Sequence, residues 1–487
     1  MKRLIVIIFT VFGAFLTFSL YRTFAYDTSV VEETPSTTDL EYTFKIGNSS
    51  IKQITVDTGE TKYYDVVLGN PNPAQISYGV YYEMVSPSTK PDDFSIEYTS
   101  KSTGESTGKV DKEGNITLNL VVTNTSSSTV TIKLGTVAGY VNGGDLELSS
   151  NQEFISKKKP TISEYVMNLD DGTIGDSGSG VYKVHHSAIP AESSATGEII
   201  PATDDYRYYG ASPNNYVCLD KNSDGTCEDK HLYRIIGSIY EENAGTNLLK
   251  VIKATPLTDG TTNLFDWDCK GYDSNVKLIA EIPEGEGNRC SSSSNTWSSS
   301  NEDSSLLQIL NSTWLNSNTG NYYTNGTAVT LNFNNFGLSN NAKNHINEKS
   351  RYYLGGYSSS KQKVDAIYLV ERTNTSNYST YYWDGTVGLL YLSDYGLMSG
   401  NGCASEYNLT EYSSNCMSKN WMYKSTLRFW TISYVSSSNY NIWGIDNGRI
   451  MKIPSYIEET VYPTFYLKSD VSITGGTGSE LDPYTVE

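Results

Sequence analysis

The stretch Ile76-Ser77-Tyr78-Gly79-Val80-Tyr81-Tyr82-Glu83-Met84 decides the fold of the first third of this chain. Ile76, Tyr78, Val80, Tyr82 and Met84 occupy every second position. Side chains of a strand alternate between its two faces, so this spacing turns all five toward one core. The same period recurs at Ile116, Leu118, Leu120 and Val122, and again at Val130, Ile132 and Leu134. Shorter runs stand at Tyr64-Val66-Leu68 and Phe94-Ile96-Tyr98. Turn-forming clusters separate them, at Gly69-Asn70-Pro71-Asn72-Pro73, Glu113-Gly114-Asn115 and Asn124-Thr125-Ser126-Ser127-Ser128. About seven short strands with regular turns and no helical stretch predict an all-β, immunoglobulin-like sandwich over residues 40–155. No Cys or Trp lies in it, so the inter-sheet pin of antibody domains is absent.

Upstream, Lys2 and Arg3 precede an apolar run from Leu4 to Leu20, and the small residue Ala25 follows. Basic head, apolar core and small residue read as a secretory signal over residues 1–25, with cleavage expected after Ala25. An uncleaved anchor is the alternative, because a span needs about 17–25 apolar residues. Either reading puts the remainder outside the cytoplasmic membrane, extracellular or on the cell surface. No Cys precedes Cys218, so no lipid-modified N-terminus is expected, and this segment is the expected tether. Residues 26–39 are a polar spacer.

Composition agrees with an exterior location. The 487 residues exceed one ordinary core and predict a multidomain chain. A net charge of −19 repels phosphate backbones, which argues against nucleic acid as a partner and against charge-driven docking on anionic lipid. Membrane contact is expected only through the N-terminal segment. Tyr occurs 39 times against 13 Phe, an excess that suits wet surfaces and interfaces. The six cysteines fall into three local couples, Cys218 with Cys227, Cys269 with Cys290 and Cys403 with Cys416, and are expected to form disulfides.

Residues 156–203 read as a linker. They contain Lys157-Lys158-Lys159-Pro160, the Gly175–Gly180 segment, and an Ala188–Thr203 stretch rich in Pro, Ala, Ser and Thr. Gly175-Asp176-Ser177-Gly178 matches the nucleophile loop of chymotrypsin-like proteases. That chemistry needs a His base ahead of the Ser, and no His precedes His185. His185-His186 would point apart on a strand, and the pair is read as solvated linker rather than a metal site.

Beyond residue 204 the chain changes character, and all seven Trp and all six Cys fall there. Leu232–Gly237 and Leu248–Ile252 predict a hairpin around Glu242-Asn243-Ala244-Gly245. Leu306, Leu307, Leu310 and Trp314 predict an amphipathic helix within 303–315. A polar helix is predicted over 339–348, and a third beginning near Ser418. This is an α+β pattern.

Several segments of this region belong together: Pro213-Asn214-Asn215-Tyr216-Val217, the Leu232–Gly237 strand, Gly388-Leu389-Leu390-Tyr391-Leu392-Ser393-Asp394-Tyr395-Gly396, Asn420-Trp421-Met422, Phe429-Trp430-Thr431-Ile432, and Tyr466 to Gly478. As a set they resemble an uncharacterised family of exported surface proteins of Gram-positive bacteria. The C-terminal module of that family is similar to the C-type-lectin-like and formylglycine-generating-enzyme-like fold. The resemblance implies a lectin-like α+β domain over residues 204–487, a surface location and ligand binding, without an activity. Two positions depart from it: Tyr462-Pro463 stands where the family has Arg-Pro, and Ser433 where it has Pro. Any role of that Arg does not carry over.

Three site expectations follow. Asp220, Asn222, Asp224, Thr226 and Glu228 match the first half of an EF-hand loop and would offer oxygens to calcium. His231 holds the twelfth position, where the bidentate Glu belongs, and an acidic turn closed by Cys218–Cys227 is the preferred reading. Trp383 with Asp384, and Trp443 with Asp446 and Asn447, are surface candidates for stacking on a sugar, while Trp421 and Trp430 are read as core. No catalytic residue is assigned, and no cofactor beyond the calcium alternative. The expected function is an adhesin-like surface protein with a glycan or protein ligand. A structural envelope component and an exported carbohydrate-active enzyme are the alternatives.

Overall fold

The computed structural model describes residues 43–46, 52–99, 101–140, 146–175, 177–270, 290, 294–299, 303–324, 327–359, 362–373 and 381–487. The leader and the spacer lie outside these residues. Strands dominate, arranged in several sheets with a few short helices. The chain divides into two compact units, Met1–Pro160 and Thr161–Glu487.

The first unit contains β1 (Thr43–Ile46), β2 (Gln53–Val56), β3 (Glu60–Gly69), β4 (Ile76–Ser86), β5 (Phe94–Tyr98), β6 (Thr107–Val110), β7 (Asn115–Asn124), β8 (Val130–Tyr140), β9 (Gln152–Phe154) and β10 (Ser156–Lys157). One sheet runs β1-β3-β7-β5-β10, the other β2-β8-β4-β6 with β9 also on β4. The residues at period two are the ones turned inward. Val66, Leu68, Ile96, Leu118, Leu120 and Val122 of the first sheet share one core with Ile76, Tyr78, Val80, Tyr82, Ile132 and Leu134 of the second. Each such aliphatic side chain contributes roughly 1.5–3 kcal/mol by leaving water. Tyr81, on the opposite face of β4, is nevertheless buried. Its ring lies across Gly135, its partner on β8, where an added Cβ would meet the ring at 2.4 Å.

The second unit is built on β11 (Gly180–His186), β12 (Thr203–Tyr209), β13 (Tyr216–Cys218), β14 (Leu232–Glu241) and β15 (Thr246–Lys253). β14 pairs with β12 and β13 as well as with β15. β12 comes close to β14 because Gly237 has no side chain; a Cβ there would sit 2.4 Å from the Tyr206 carbonyl oxygen. The β14–β15 hairpin turns through residues 242–245, with Gly245 at φ +65°. The Leu306, Leu307, Leu310 and Trp314 face is buried, although the segment begins as α-helix at Ser305–Gln308 and widens to a π-helix over Ile309–Trp314. The third helix, Ser414–Ser418, ends where it was expected to begin. The side chain of Ser413 caps it by accepting from the Cys416 N–H. Three disulfides close Cys218–Cys227, Cys269–Cys290 and Cys403–Cys416.

The linker reading of residues 156–203 is corrected. From Thr161 onward the segment belongs to the second unit. The helix Ile162–Met167 starts with a Thr161–Glu164 capping box and buries Ile162 and Val166. Val181, Ile189, Ala195 and Ile200 enter the same core. His186 is not solvated linker either. It is buried at the end of β11, where its Nε2 lies 3.0 Å from Asp205 Oδ2. His185 points the other way, to solvent.

Candidate functional site

Five ionisable side chains meet inside the second unit. Asp205 and Arg207 stand two apart on β12 and therefore share a face. Arg207 donates to Asp205 Oδ2 and to Asp394 Oδ1, each at 2.7 Å, and Lys250 of β15 donates to Asp394 Oδ2, also at 2.7 Å. His186 completes the chain against Asp205. Asp394 comes from the helix Leu392–Leu397, so the network ties that helix to the sheet. Burial pushes the Asp394 carboxyl up, but Lys250 and Arg207 overcome it and hold the group at about 2. All five groups are enclosed, and none is placed to meet a ligand.

Outward from this network lies a narrow cleft of about 20 Å³, room for about one water. Tyr353, Tyr368, Tyr391 and Tyr466 wall it, with Arg372, Arg351 and Glu242 among the polar lining. Arg372 caps the C-terminus of the helix Val364–Glu371. Its guanidinium carbon sits 3.5 Å from the centre of the Tyr368 ring, and 5.5 and 5.4 Å from those of Tyr353 and Tyr391. The His186 ring stacks on Tyr368 at 3.6 Å, so Tyr368 is held between an imidazole and a guanidinium. Such cation–π contacts fix the Arg372 head while leaving its N–H edge free to bond.

That edge is poorly used. Nη1 donates to the Tyr368 carbonyl oxygen at 3.2 Å and lies 3.6 Å from Glu371 Oε2. Nε and Nη2 have no hydrogen-bond partner among the described residues, although the residue is only 6% exposed. Glu371 is a weak counter-charge. Its carboxyl takes hydrogen bonds from the hydroxyls of Ser393 and Ser433, and burial pushes its pKa up. Arg351, by contrast, is spent on Asp384 through Nε at 2.9 Å and Nη2 at 3.0 Å. Glu242 has a buried Oε2 without a hydrogen-bond partner, 3.8 Å from Arg351 Nη1. Burial raises its pKa against the pull of Arg351. Two Arg372 nitrogens without a hydrogen bond among the described residues and the Glu242 acceptor thus line one cleft.

The segment misread as linker builds part of this wall. Ile200 and Thr203 line the cleft, and the Ala195 N–H donates to the Arg372 carbonyl oxygen at 2.9 Å.

The sequence-derived candidates lie elsewhere. Trp383 is half-buried, its ring tilted on Tyr352 at 5.4 Å and edge-on to Trp297 at 6.1 Å. It folds over Gly385, where a Cβ would meet it at 2.0 Å. Asp384 faces Arg351 and so stands behind the cleft rather than in it. Trp443 as a surface residue is corrected. It is 1% exposed, stacks on Tyr357 at 5.2 Å and donates its indole N–H to the Tyr357 carbonyl oxygen. Asp446, Asn447 and Gly448 are hairpin chemistry. Asn447 at φ +48° and Gly448 at φ +80° make the two-residue turn between Asn441–Asp446 and Arg449–Pro454. The structure does not bring the two Trp groups together. Trp421 and Trp430 are buried.

The oxygens of the calcium alternative all have protein partners in this structure. Asp220 accepts from Ser339 Oγ and Asn341 Nδ2, Asp224 from the N–H and hydroxyl of Thr226, and Glu228 pairs with Lys230. The Thr226 carbonyl oxygen, the expected backbone ligand, accepts from the Asn222 N–H at 2.9 Å. The loop oxygens are committed to the protein and do not converge. Among the described residues one group has metal-like proximity, Asp266 with Cys269 and Cys290, and its sulfurs are joined to each other in a disulfide.

Nothing in the sequence marked Arg372 or Glu242. The resemblance segments did contain Tyr391 and Tyr466, which wall the cleft, and Asp394 of the network behind it.

No protein family and no curated protein matches the chain. Among solved structures, a crystal structure of the YadV chaperone is 11% identical and covers 42% of this chain and 92% of that one, with a TM-score of 0.11. A likeness that weak informs neither fold nor function. Among the described residues no helix is long and apolar enough to cross a membrane.

Proposed function

We propose that this is an exported bacterial cell-surface protein that binds a ligand with its C-terminal unit. On this reading residues 1–25 direct export or anchor the chain, and the first unit is an immunoglobulin-like stalk. The second is a lectin-like head, as in the family it resembles. The observation that carries the binding role is the cleft around Arg372. Arg207, Lys250 and Asp394 are paired closely in the network behind it. At the cleft Arg372 Nε and Nη2 and Glu242 Oε2 have no hydrogen bond among the described residues. A buried acceptor left without a hydrogen bond, as Glu242 Oε2 is, costs about 1–3 kcal/mol, a deficit that a polar ligand removes. Tyrosine walls suit recognition at a wet surface.

The test is retention of the full chain on arrays of glycans and surface proteins. Saturable binding that falls at least tenfold in Arg372→Met is expected. Absence of any retention, with the protein forming regular assemblies on the cell surface, would overturn the binding role in favour of a structural one.

A further inference from the structure

We infer that Cys227 is a site of thiol–disulfide exchange: an external dithiol opens the Cys218–Cys227 bridge there, and the loop that the bridge closes keeps its fold. The inference does not depend on the binding role proposed above.

Access singles out this bridge. Cys269 and Cys290 are each 2% exposed, and Cys403 and Cys416 are 4% and 1% exposed. Cys218 is equally enclosed, but Cys227 is half-buried in a run where residues 221–226 and 228–229 are all exposed. Exchange requires a thiolate to reach the sulfur it attacks, so Cys227 Sγ is the point of entry in the folded chain. The attack joins the reductant's sulfur to Cys227 Sγ and breaks the bond to Cys218 Sγ, which leaves as a thiolate and takes up a proton. The reductant's second thiol then displaces Cys227. The protein gains two electrons and two protons, and the reductant becomes its own disulfide. Each new thiol has an acceptor beside it. Cys218 Sγ lies 3.3 Å from the Asp220 carbonyl oxygen, and Cys227 Sγ 3.9 Å from that of Glu228. The loop also holds itself together without the covalent bond. The Asn222 N–H donates to the Thr226 carbonyl oxygen at 2.9 Å, and Asp220 accepts from Ser339 and Asn341. At one end, the Leu219 N–H donates to the His231 carbonyl oxygen at 3.1 Å, and Cys218 closes β13 against β14. The cysteines are 9 positions apart, against 21 and 13 in the other two bridges. A short closed loop restricts the unfolded chain least, so this bridge adds the least stability of the three and is the one whose opening the fold tolerates.

The experiment treats the folded full chain with dithiothreitol, traps thiols with iodoacetamide at timed intervals and maps them by mass spectrometry. Cys218 and Cys227 are expected to be labelled together, at least tenfold faster than the other four cysteines, with the near-ultraviolet circular dichroism of the folded chain retained. Opening of Cys269–Cys290 or Cys403–Cys416 at a comparable rate would overturn the inference. So would labelling of Cys218 and Cys227 that appears only after the folded signal is lost, or not at all. Two variants separate the sulfurs. Cys218→Ser leaves Cys227 as a free thiol, which is expected to form a mixed disulfide with oxidised glutathione, releasing one glutathione. That reaction is expected to run at least tenfold faster than the same reaction of Cys218 in Cys227→Ser. Equal rates would overturn Cys227 as the point of entry.

Discussion

The two units solve the problem of a stable interior by different means. The first fills its core with aliphatic and aromatic side chains, and its buried polar residues are uncharged: Asn70, Asn72, Ser106, Asn124 and Ser126. The second buries Asp205, Arg207, Lys250, Glu371, Arg372 and Asp394 in and around one network. An apolar core is forgiving and non-directional. A buried ionic network is neither, because each member has been desolvated for the sake of its partners. In the function proposed above the contrast divides labour: a uniform core suits a stalk, and fixed interior charges suit a unit that presents Arg372.

The sharpest way to break the contrast is Asp394→Asn. It leaves Arg207 and Lys250 without the carboxylate that both hold at 2.7 Å. Removing one member of a buried pair costs about 3–5 kcal/mol. Chemical denaturation of the full chain should then show the transition of the second unit shifted by that amount and the first unit unmoved. Leu118→Ala does the reverse. Leu118 is fully buried in the first core, and its truncation should cost about 2–5 kcal/mol there alone. If either substitution moves both transitions equally, the two cores are not independent.

The same contrast explains what could be read in the sequence. The first unit was legible because its interior is one face of regular strands, so spacing alone names Val66, Leu118, Leu120 and Ile132 as core. Trp443 was misread because it lies in the middle strand of a three-stranded sheet that is covered on both faces, where parity carries no information. Its neighbours Asn447 and Gly448 are polar for the sake of the turn. Residues 161–203 look like linker by composition, yet Ile162, Val166, Val181, Ile189, Ala195 and Ile200 are buried in the core of the second unit. The cleft was illegible for a related reason. Glu242, Arg351 and Arg372 come from a hairpin turn, a short strand and a helix end, and no spacing rule connects them.

A pH titration sharpens the comparison at smaller scale. Burial holds the His186 pKa below its usual value, outweighing the attraction of Asp205. A histidine depressed in the folded state stays neutral there while the unfolded chain takes up a proton. Stability is therefore full above about 6.5 and is lost as pH falls toward the folded value. Asp394, held near 2, adds a second loss as pH falls below about 3.8. Melting curves from pH 7.5 to 3 should show the second unit weakening in these two steps. His186→Gln should shrink the first step, to which the burial-depressed His231 and His345 also contribute, and leave the second.

The smallest effect is expected from calcium, and it separates a satisfied loop from an unsatisfied cleft. A cation at residues 220–228 would have to displace the hydrogen bonds of Thr226 to Asp224, of Asn222 to the Thr226 carbonyl oxygen, and of Ser339 and Asn341 to Asp220. Each of those bonds contributes roughly 0.5–1.5 kcal/mol and would be given up before any ligand is free. The ion would then gain only a half-loop, with no bidentate carboxylate at the twelfth position. Addition of 5 mM calcium is therefore expected to leave the melting temperature of the second unit unchanged. A ligand that fits the cleft should raise it as the logarithm of its concentration. A calcium-dependent rise that vanishes in Asp224→Asn would show that the loop rearranges around the ion.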